Sequence, residues 1–378
     1  MKVVVAIDSF KGCLSSYDAG KAVYDAIIKV YKDAEITIKP LADGGEGTTE
    51  VFKNFYNADP VKIDVKGPLY SPVNAEYCIL NNKTAIIEMA AASGITLIDV
   101  TERNPLKTTT YGVGELIKDA VNKGYRQFII GIGGSATNDC GTGMLSALGF
   151  EFLDEYDNSV PFGAEGLQYI KKIRTDNVLS ELLECSFKIA CDVTNPLCGK
   201  NGCSYIYGPQ KGATDEMVEN MDKWLSQFAK LTKEIRPHSD ENLPGCGAAG
   251  GLGFAFASYL NSTLRPGIDI ILEETDIEKD IINADIVITG EGRLDSQTIN
   301  GNAPIGIAKL AKKYRKRVIA FSGCVSDDAE ICNEYGIDAF FPILRNITTV
   351  EDAMNKDIAY KNLYNTAYQV FRLIKSGE

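Results

Sequence analysis

The sequence predicts an α/β protein in which both chain ends build one parallel-sheet domain and the middle forms a second, inserted α/β domain with a mixed sheet. Three observations carry this expectation. Residues 1–68 and 266–378 alternate short apolar runs with helix-period segments, the pattern of parallel strands joined by crossover helices. Residues 69–265 break that alternation with a hairpin signal and long glycine-rich connections. With 378 residues, 45% of them hydrophobic, the chain is long enough for two cores.

The elements follow in order. Residues 2–7 form a continuous apolar run of strand length, suited to a sheet buried on both faces. Ser15-x-x-Asp18 resembles a helix start, and Ala19, Val23, Ala26, Ile27 and Val30 then share one helical face. Residues 36–39 read as a strand, 48–56 as a helix and 61–65 as a third strand of the same series. In the middle, strands over 73–80 and 84–88 flank Asn81-Asn82-Lys83, a hairpin signal. A helix over 111–121, strands over 127–132 and 187–191, and a long amphipathic helix over 215–235 follow. The last third alternates again, with strands over 285–289, 318–322 and 339–343 and helices over 303–314, 327–335 and 359–374. Domain boundaries are expected at the turn signals Lys66-Gly67-Pro68 and Arg265-Pro266-Gly267.

Composition narrows the chemistry. Lys and Arg number 39 against 51 Asp and Glu, a net charge of −12, which disfavours a nucleic-acid partner because phosphate backbones need basic surfaces. A single histidine, His238, lies in the polar stretch Arg236-Pro237-His238-Ser239-Asp240. Multi-histidine metal sites are therefore excluded, and His238 reads as a solvated loop residue. The ten cysteines are scattered with no C-x-x-C pair. No apolar run approaches the ~20 residues of a membrane span, so a cytoplasmic protein with no membrane partner is expected.

Polar and glycine-rich clusters follow the predicted strands. They are Asp8–Gly12, Asp43–Thr48, Gly131–Asp139, Asp192–Pro196, 290–297 and Ser322-Gly323. In open α/β sheets, ligands bind at the carboxyl ends of strands. Gly133, Gly134, Ser135, Thr137 and Asn138 can offer N–H and side-chain donors to an anion. The run 245–253, with Gly247, Gly250 and Gly251, precedes a helix expected over 254–260 and can do the same. Asp8, Asp43, Glu46, Asp139, Asp192, Glu291 and Asp295 stand in these clusters, and converging carboxylates imply a cation, for which Mg²⁺ is the natural choice. With no histidine in the clusters, a carboxylate must carry any proton. Lys11, Lys211 and Arg293 are cations able to hold a carboxylate or a transferring phosphoryl group. Neither a Walker A loop nor a G-x-G-x-x-G fingerprint is present. Phosphoryl transfer fits this combination, and a catalytically silent sugar-acid or nucleotide sensor stays as the alternative.

The order of the clusters resembles the type I glycerate kinases. The resemblance runs through Asp8-Ser-Phe-Lys11-Gly, Ala42-Asp43-Gly-Gly-Glu46-Gly-Thr48, Ile87-Glu88-Met, Gly131-Ile-Gly-Gly-Ser-Ala-Thr-Asn-Asp139 and Asp192-Val-Thr-Asn-Pro-Leu. It continues through Gly208-Pro-Gln-Lys-Gly-Ala213, Gly247-Ala-Ala-Gly-Gly-Leu-Gly253 and Gly290-Glu-Gly-Arg-Leu-Asp-Ser-Gln297. It implies an ATP- and Mg²⁺-dependent enzyme that converts D-glycerate to 2-phospho-D-glycerate. It also implies a Rossmann-like domain made from both ends, an inserted domain, and an active cleft between them. On this resemblance Asp192, Lys11 and Arg293 are the catalytic candidates, with Asp192 as base or metal ligand. Asp8, Ser9, Gly133, Gly134, Ser135, Thr137, Asn138, Asn195, Lys211, Gly247, Gly250, Gly251, Gly290 and Gln297 are expected to bind substrate or nucleotide. Asp43, Glu46, Asp139, Glu291 and Asp295 are expected to hold the metal. A 3-phosphate product or another small hydroxy acid stays open. Cys140 stands where the family pattern calls for glycine, and a positive φ there would strain it by about 1 kcal/mol.

Overall fold

The computed structural model describes residues 1–42, 45 and 47–378. Contacts divide the chain into two units, Met1–Asp43 with Ile268–Glu378, and Gly44–Gly267. Residues 44–68, expected with the chain ends, belong to the middle unit.

The terminal unit begins with β1 (Lys2–Val5) and β2 (Glu35–Ile38). The inserted unit contributes β3 (Asp59–Lys66), β4 (Pro72–Leu80), β5 (Thr84–Glu88), β6 (Gln127–Gly131), β7 (Glu151–Leu153), β8 (Lys172–Arg174), β9 (Ser186–Ala190) and β10 (Ser262–Arg265). The chain then returns with β11 (Ile286–Leu294), β12 (Arg317–Val325) and β13 (Ala339–Pro342).

In the terminal unit all five strands are parallel, in the order β13-β12-β11-β1-β2. Counted along this unit alone the order is 2-1-3-4-5, a doubly wound arrangement whose direction reverses between β1 and β11. Alternate residues serve opposite faces. Val3, Val5, Ile286, Ile288 and Phe321 pack on one side with the helices Ser16–Val30 and Lys356–Ser376. Val4, Ala6, Val287, Val318 and Ala320 pack on the other with the helices Ile277–Asn283 and Ala303–Lys313. This two-sided burial explains why the strands read as unbroken apolar runs. The Ser15 hydroxyl accepts from Asp18 N at 3.1 Å and starts the first helix where the sequence placed it.

Two strands outrun their expected ends. β11 and β12 continue with Glu291 opposite Ser322 and Arg293 opposite Cys324. The glycines there read as turns but serve close approach instead. A Cβ on Gly290 would strike the Phe321 carbonyl, and one on Gly323 the Gly292 carbonyl.

The inserted unit holds a six-stranded mixed sheet in the order β10-β9-β6-β5-β4-β3. Strands β5, β6, β9 and β10 are parallel, whereas β3 and β4 run antiparallel at one edge. The Asn81-Asn82 turn adopts positive φ at both residues, 53° and 54°, and closes the β4–β5 hairpin. Strand β3 was expected in the parallel series of the chain ends, yet its eight residues pair with β4. Its alternating Val61, Ile63 and Val65, between charged Lys62 and Asp64, suit a half-buried edge instead. No helix among the described residues is long and apolar enough to cross a membrane.

Candidate active site

In the terminal unit, the chain beyond β1 carries Asp8, Ser9, Phe10 and Lys11 to the strand ends where the winding reverses. Asp8 N donates to Gly290 O at 2.9 Å, which ties this segment to β11. A cavity of about 410 Å³ opens there, lined by Asp8, Ser9, Lys11, Glu291 and Arg293, with Phe10, Ile343, Leu344 and Met354 as an apolar wall. The winding rule predicts a ligand crevice at this reversal.

Glu291 accepts from the Thr298 hydroxyl at 2.7 Å and from Asn302 Nδ2 at 3.3 Å. Burial pushes its carboxyl up to about 7; Asp295 adds to the rise, while the two hydrogen bonds and Lys11 oppose it. Such a group can exchange protons at neutral pH. Arg293 Nε pairs with Asp295 Oδ2 at 3.1 Å, but its side chain is 64% exposed. The pair contributes no more than about 1 kcal/mol, so the guanidinium can turn to an anion at little cost. Asp295 Oδ1 accepts from Gln297 N at 2.9 Å, and exposed Gln297 completes this turn. Gly290, expected to bind a ligand, has its missing side chain's space taken by β12.

In the inserted unit the loop after β6 divides in two. Gly133 and Gly134 are exposed, and Gly134 has φ 73°. Ser135, Thr137 and Asn138 are buried. Lys211 Nζ donates to the Thr137 carbonyl at 2.6 Å, and Asn138 Nδ2 to Ser204 Oγ at 3.0 Å. Thr137 Oγ1 and Asn138 Oδ1 are buried with no hydrogen-bond partner. Lys211 was expected to meet a ligand; at 2% exposure it holds the loop from within instead. Burial pushes its ammonium down to about 8, against the pull of Cys203 and Asp139.

Asp139 departs furthest from its expected role as a metal ligand. It is wholly buried and accepts from Thr110 N at 2.8 Å, Thr110 Oγ1 at 2.9 Å, Gly141 N at 3.1 Å and Gly143 N at 3.3 Å. Burial raises its pKa while these hydrogen bonds oppose the rise. A carboxylate with these four donors organises the loop. Cys140 does adopt the left-handed backbone, with φ 53°.

The second glycine run is also internal. Ala249, Gly250 and Gly251 all have positive φ. A Cβ on Gly250 would strike the Thr137 carbonyl, and Cys140 N donates to Gly250 O at 3.0 Å. Gly247 lies against the Pro196 carbonyl. Gly247, Gly250 and Gly251, expected to meet the nucleotide, have the side where a Cβ would stand filled by the neighbouring loop. Asn195 is a strut as well, with Nδ2 on Asn201 O at 2.9 Å and Oδ1 receiving the Tyr207 hydroxyl at 2.6 Å. Asp192 is exposed beyond β9, and its Oδ1 accepts from Gly267 N at 2.8 Å, at the start of the helix Gly267–Glu274.

Glu88 has a structural role that the sequence reading does not assign. It ends the buried strand β5, accepts from Thr49 N at 2.6 Å, from Thr49 Oγ1 at 2.8 Å and from Gly47 N at 3.3 Å, and so anchors the helix Thr48–Phe55. The signal was a charge closing an otherwise apolar run. Asp43 and Glu46 lie outside the described residues. Among the described residues no three His, Cys, Asp or Glu side chains form a metal-holding group. All ten cysteines are free.

Known proteins share this design. The glycerate kinase family model matches residues 3–375. "Glycerate 2-kinase" of Escherichia coli K12 is 42% identical over 378 residues, covering 100% of this chain and 99% of that protein. "Glycerate kinase" of Haemophilus influenzae is 43% identical over 375 residues, covering 99% of each. A solved structure from Salmonella typhimurium LT2, provisionally assigned as glycerate kinase 2, superposes with a TM-score of 0.89 at 42% identity, covering 100% of this chain and 99% of that one. A cavity with paired carboxylates and cations at the turn of a doubly wound sheet, and full-length similarity to these kinases, lead to one conclusion: the chain belongs to the glycerate kinase family.

Proposed function

We propose that this kinase transfers the terminal phosphoryl group of ATP to the 2-hydroxyl of D-glycerate, with Mg²⁺, in the cytoplasm. The observation that carries the proposal is the cavity at the β1–β11 reversal, lined by the cations Lys11 and Arg293 beside Asp8 and Glu291. The two cations hold the glycerate carboxylate or the transferring phosphoryl group. Glu291 accepts the hydroxyl proton, since a base near neutrality works best at cellular pH. The 2-position is supported by the 42% identity to a protein named for that activity.

Asp192 is the second reading for the base. It stands exposed at the end of a parallel strand, although one oxygen already serves Gly267 N. Exposed Gly133 and Gly134 are the part of their loop open to phosphate oxygens, while Lys211 and Asp139 fix its buried part. Mg²⁺ binds through one or two carboxylates together with substrate phosphates, so it needs no three-acid cluster. Asp295, whose charge helps raise the Glu291 pKa, is the terminal-unit acid fit for it. When bound, the ion neutralises phosphate charge. ADP release measured with ATP, Mg²⁺ and D-glycerate tests the proposal; absence of turnover with glycerate would leave the sensor reading in its place.

A further inference from the structure

A second concave site lies in the terminal unit, at the opposite end of its sheet. A groove of about 760 Å³ is lined by Lys312, Arg315, Lys316 and Arg317. It stands where β11 and β12 begin, at the partners Ile286 and Arg317. The partners Arg293 and Cys324, at the other end of the same two strands, lie seven residues away, roughly 23 Å at about 3.3 Å per residue.

In a chain of net charge −12, five of the six residues Lys312-Lys313-Tyr314-Arg315-Lys316-Arg317 are basic. Lys312 and Lys313 suit the carboxyl end of the helix Ala303–Lys313, whose dipole favours cations. That account does not extend to the next three. Arg315, Lys316 and Arg317 make no side-chain ion pair with any described residue. Two of the three acids that share the groove are already engaged. Asp285 accepts from Lys2 N at 2.7 Å, and Asp338 from Lys312 Nζ at 2.6 Å and Val318 N at 2.7 Å. Glu378 is the remaining acid of the lining.

Arg315 is also held against its backbone preference. Lys316 N donates to Ala311 O and Arg315 N to Lys312 O, both at 3.0 Å, which is the Schellman pattern of a helix end. The position between them is left-handed, φ 55°, where glycine is the unstrained choice. A guanidinium occupies it and lines the groove.

We propose that this basal groove binds a small phosphorylated anion carrying two or more negative charges, at a site separate from the cavity of Lys11 and Glu291. Arginine forks match phosphate oxygens in pairs, and two of them with a lysine suit such a dianion better than a lone carboxylate. The small concave volume suits a metabolite and not an extended nucleic acid.

Inorganic pyrophosphate is the probe, titrated calorimetrically without metal into the full chain at low salt. Three proteins are compared: the wild type, Lys11→Gln, and the combination R315G/K316Q/R317Q. Glycine suits the left-handed backbone at 315, so the combined variant keeps its melting temperature and its kcat and KM for ATP and glycerate. The expected result is saturable binding that persists in Lys11→Gln, weakens at least tenfold in the combined variant, and falls as salt is raised. Binding unchanged by the three substitutions, lost in Lys11→Gln, or absent from the wild type would overturn the proposal.

Discussion

Replacing Glu291 with Gln keeps the shape of the side chain and its ability to accept from Thr298, but removes the titration. Two consequences follow. First, loss of a positioned base costs about 10²–10⁴ in kcat, and wild-type kcat/KM rises with pH through about 7, where the carboxyl ionises. Second, the raised pKa has a thermodynamic sign. In the unfolded chain the carboxyl loses its proton near 4.5, and in the folded chain near 7. Between those values the folded state binds more protons, so its stability is greatest at the acid side and declines as pH rises through the window. A shift of that size corresponds to roughly 3 kcal/mol at full burial; with the side chain partly open to solvent, about 1–2 kcal/mol is the expected decline. Glu291→Gln lacks this component, so its melting temperature gains on the wild type between pH 5 and 8. Steady-state kinetics and thermal melts over that range check both effects. A variant with kcat within threefold of wild type would remove Glu291 as the base, and parallel melting curves would refute the burial argument.

Three further substitutions probe the rest of the site. Asp192→Asn retains an oxygen for Gly267 N, so stability should change by less than about 1 kcal/mol; a hundredfold fall in kcat, with Glu291→Gln near normal, would move the proton to Asp192. Asp139→Asn turns an NH₂ group toward buried donors, and should destabilise by about 1–3 kcal/mol without changing the Mg²⁺ concentration needed for half-maximal rate; a shifted Mg²⁺ requirement at unchanged melting temperature would restore it as a metal ligand. Gly250→Ala places a methyl against the Thr137 carbonyl on a left-handed backbone, and should cost about 2 kcal/mol or more, seen as a lowered melting temperature even without nucleotide.

The strands of the terminal unit were legible because each is buried on both faces, which leaves a plain apolar run such as Lys2-Val3-Val4-Val5-Ala6-Ile7. Strand β3 resembles one more member of that series by its place in the chain, but its period-two alternation marks a sheet edge. Glycine was the ambiguous letter. At 133 and 134 it does open a loop, whereas at 250, 290 and 323 it admits a neighbouring backbone, and one residue type cannot distinguish the two. Acids were ambiguous for a similar reason. Glu291 and Asp139 both come after apolar runs in the sequence, but only three-dimensional packing decides that Asp139 is surrounded by its own donors while Glu291, inside β11, lines a cavity. Lys211 and Glu88 were visible as charges beside small or apolar residues; their partners, Thr137 and Gly47, lie 74 and 41 residues away in sequence, beyond any local pattern.

Phosphorus NMR of the product reads the proposed reaction itself. Incubation with ATP, Mg²⁺ and D-glycerate should yield ADP and a single new phosphomonoester coupled to the proton on C2, the signature of 2-phospho-D-glycerate. Coupling to the two C3 protons instead would contradict the 2-position, and ATP unchanged in the presence of glycerate would contradict the assignment of substrate.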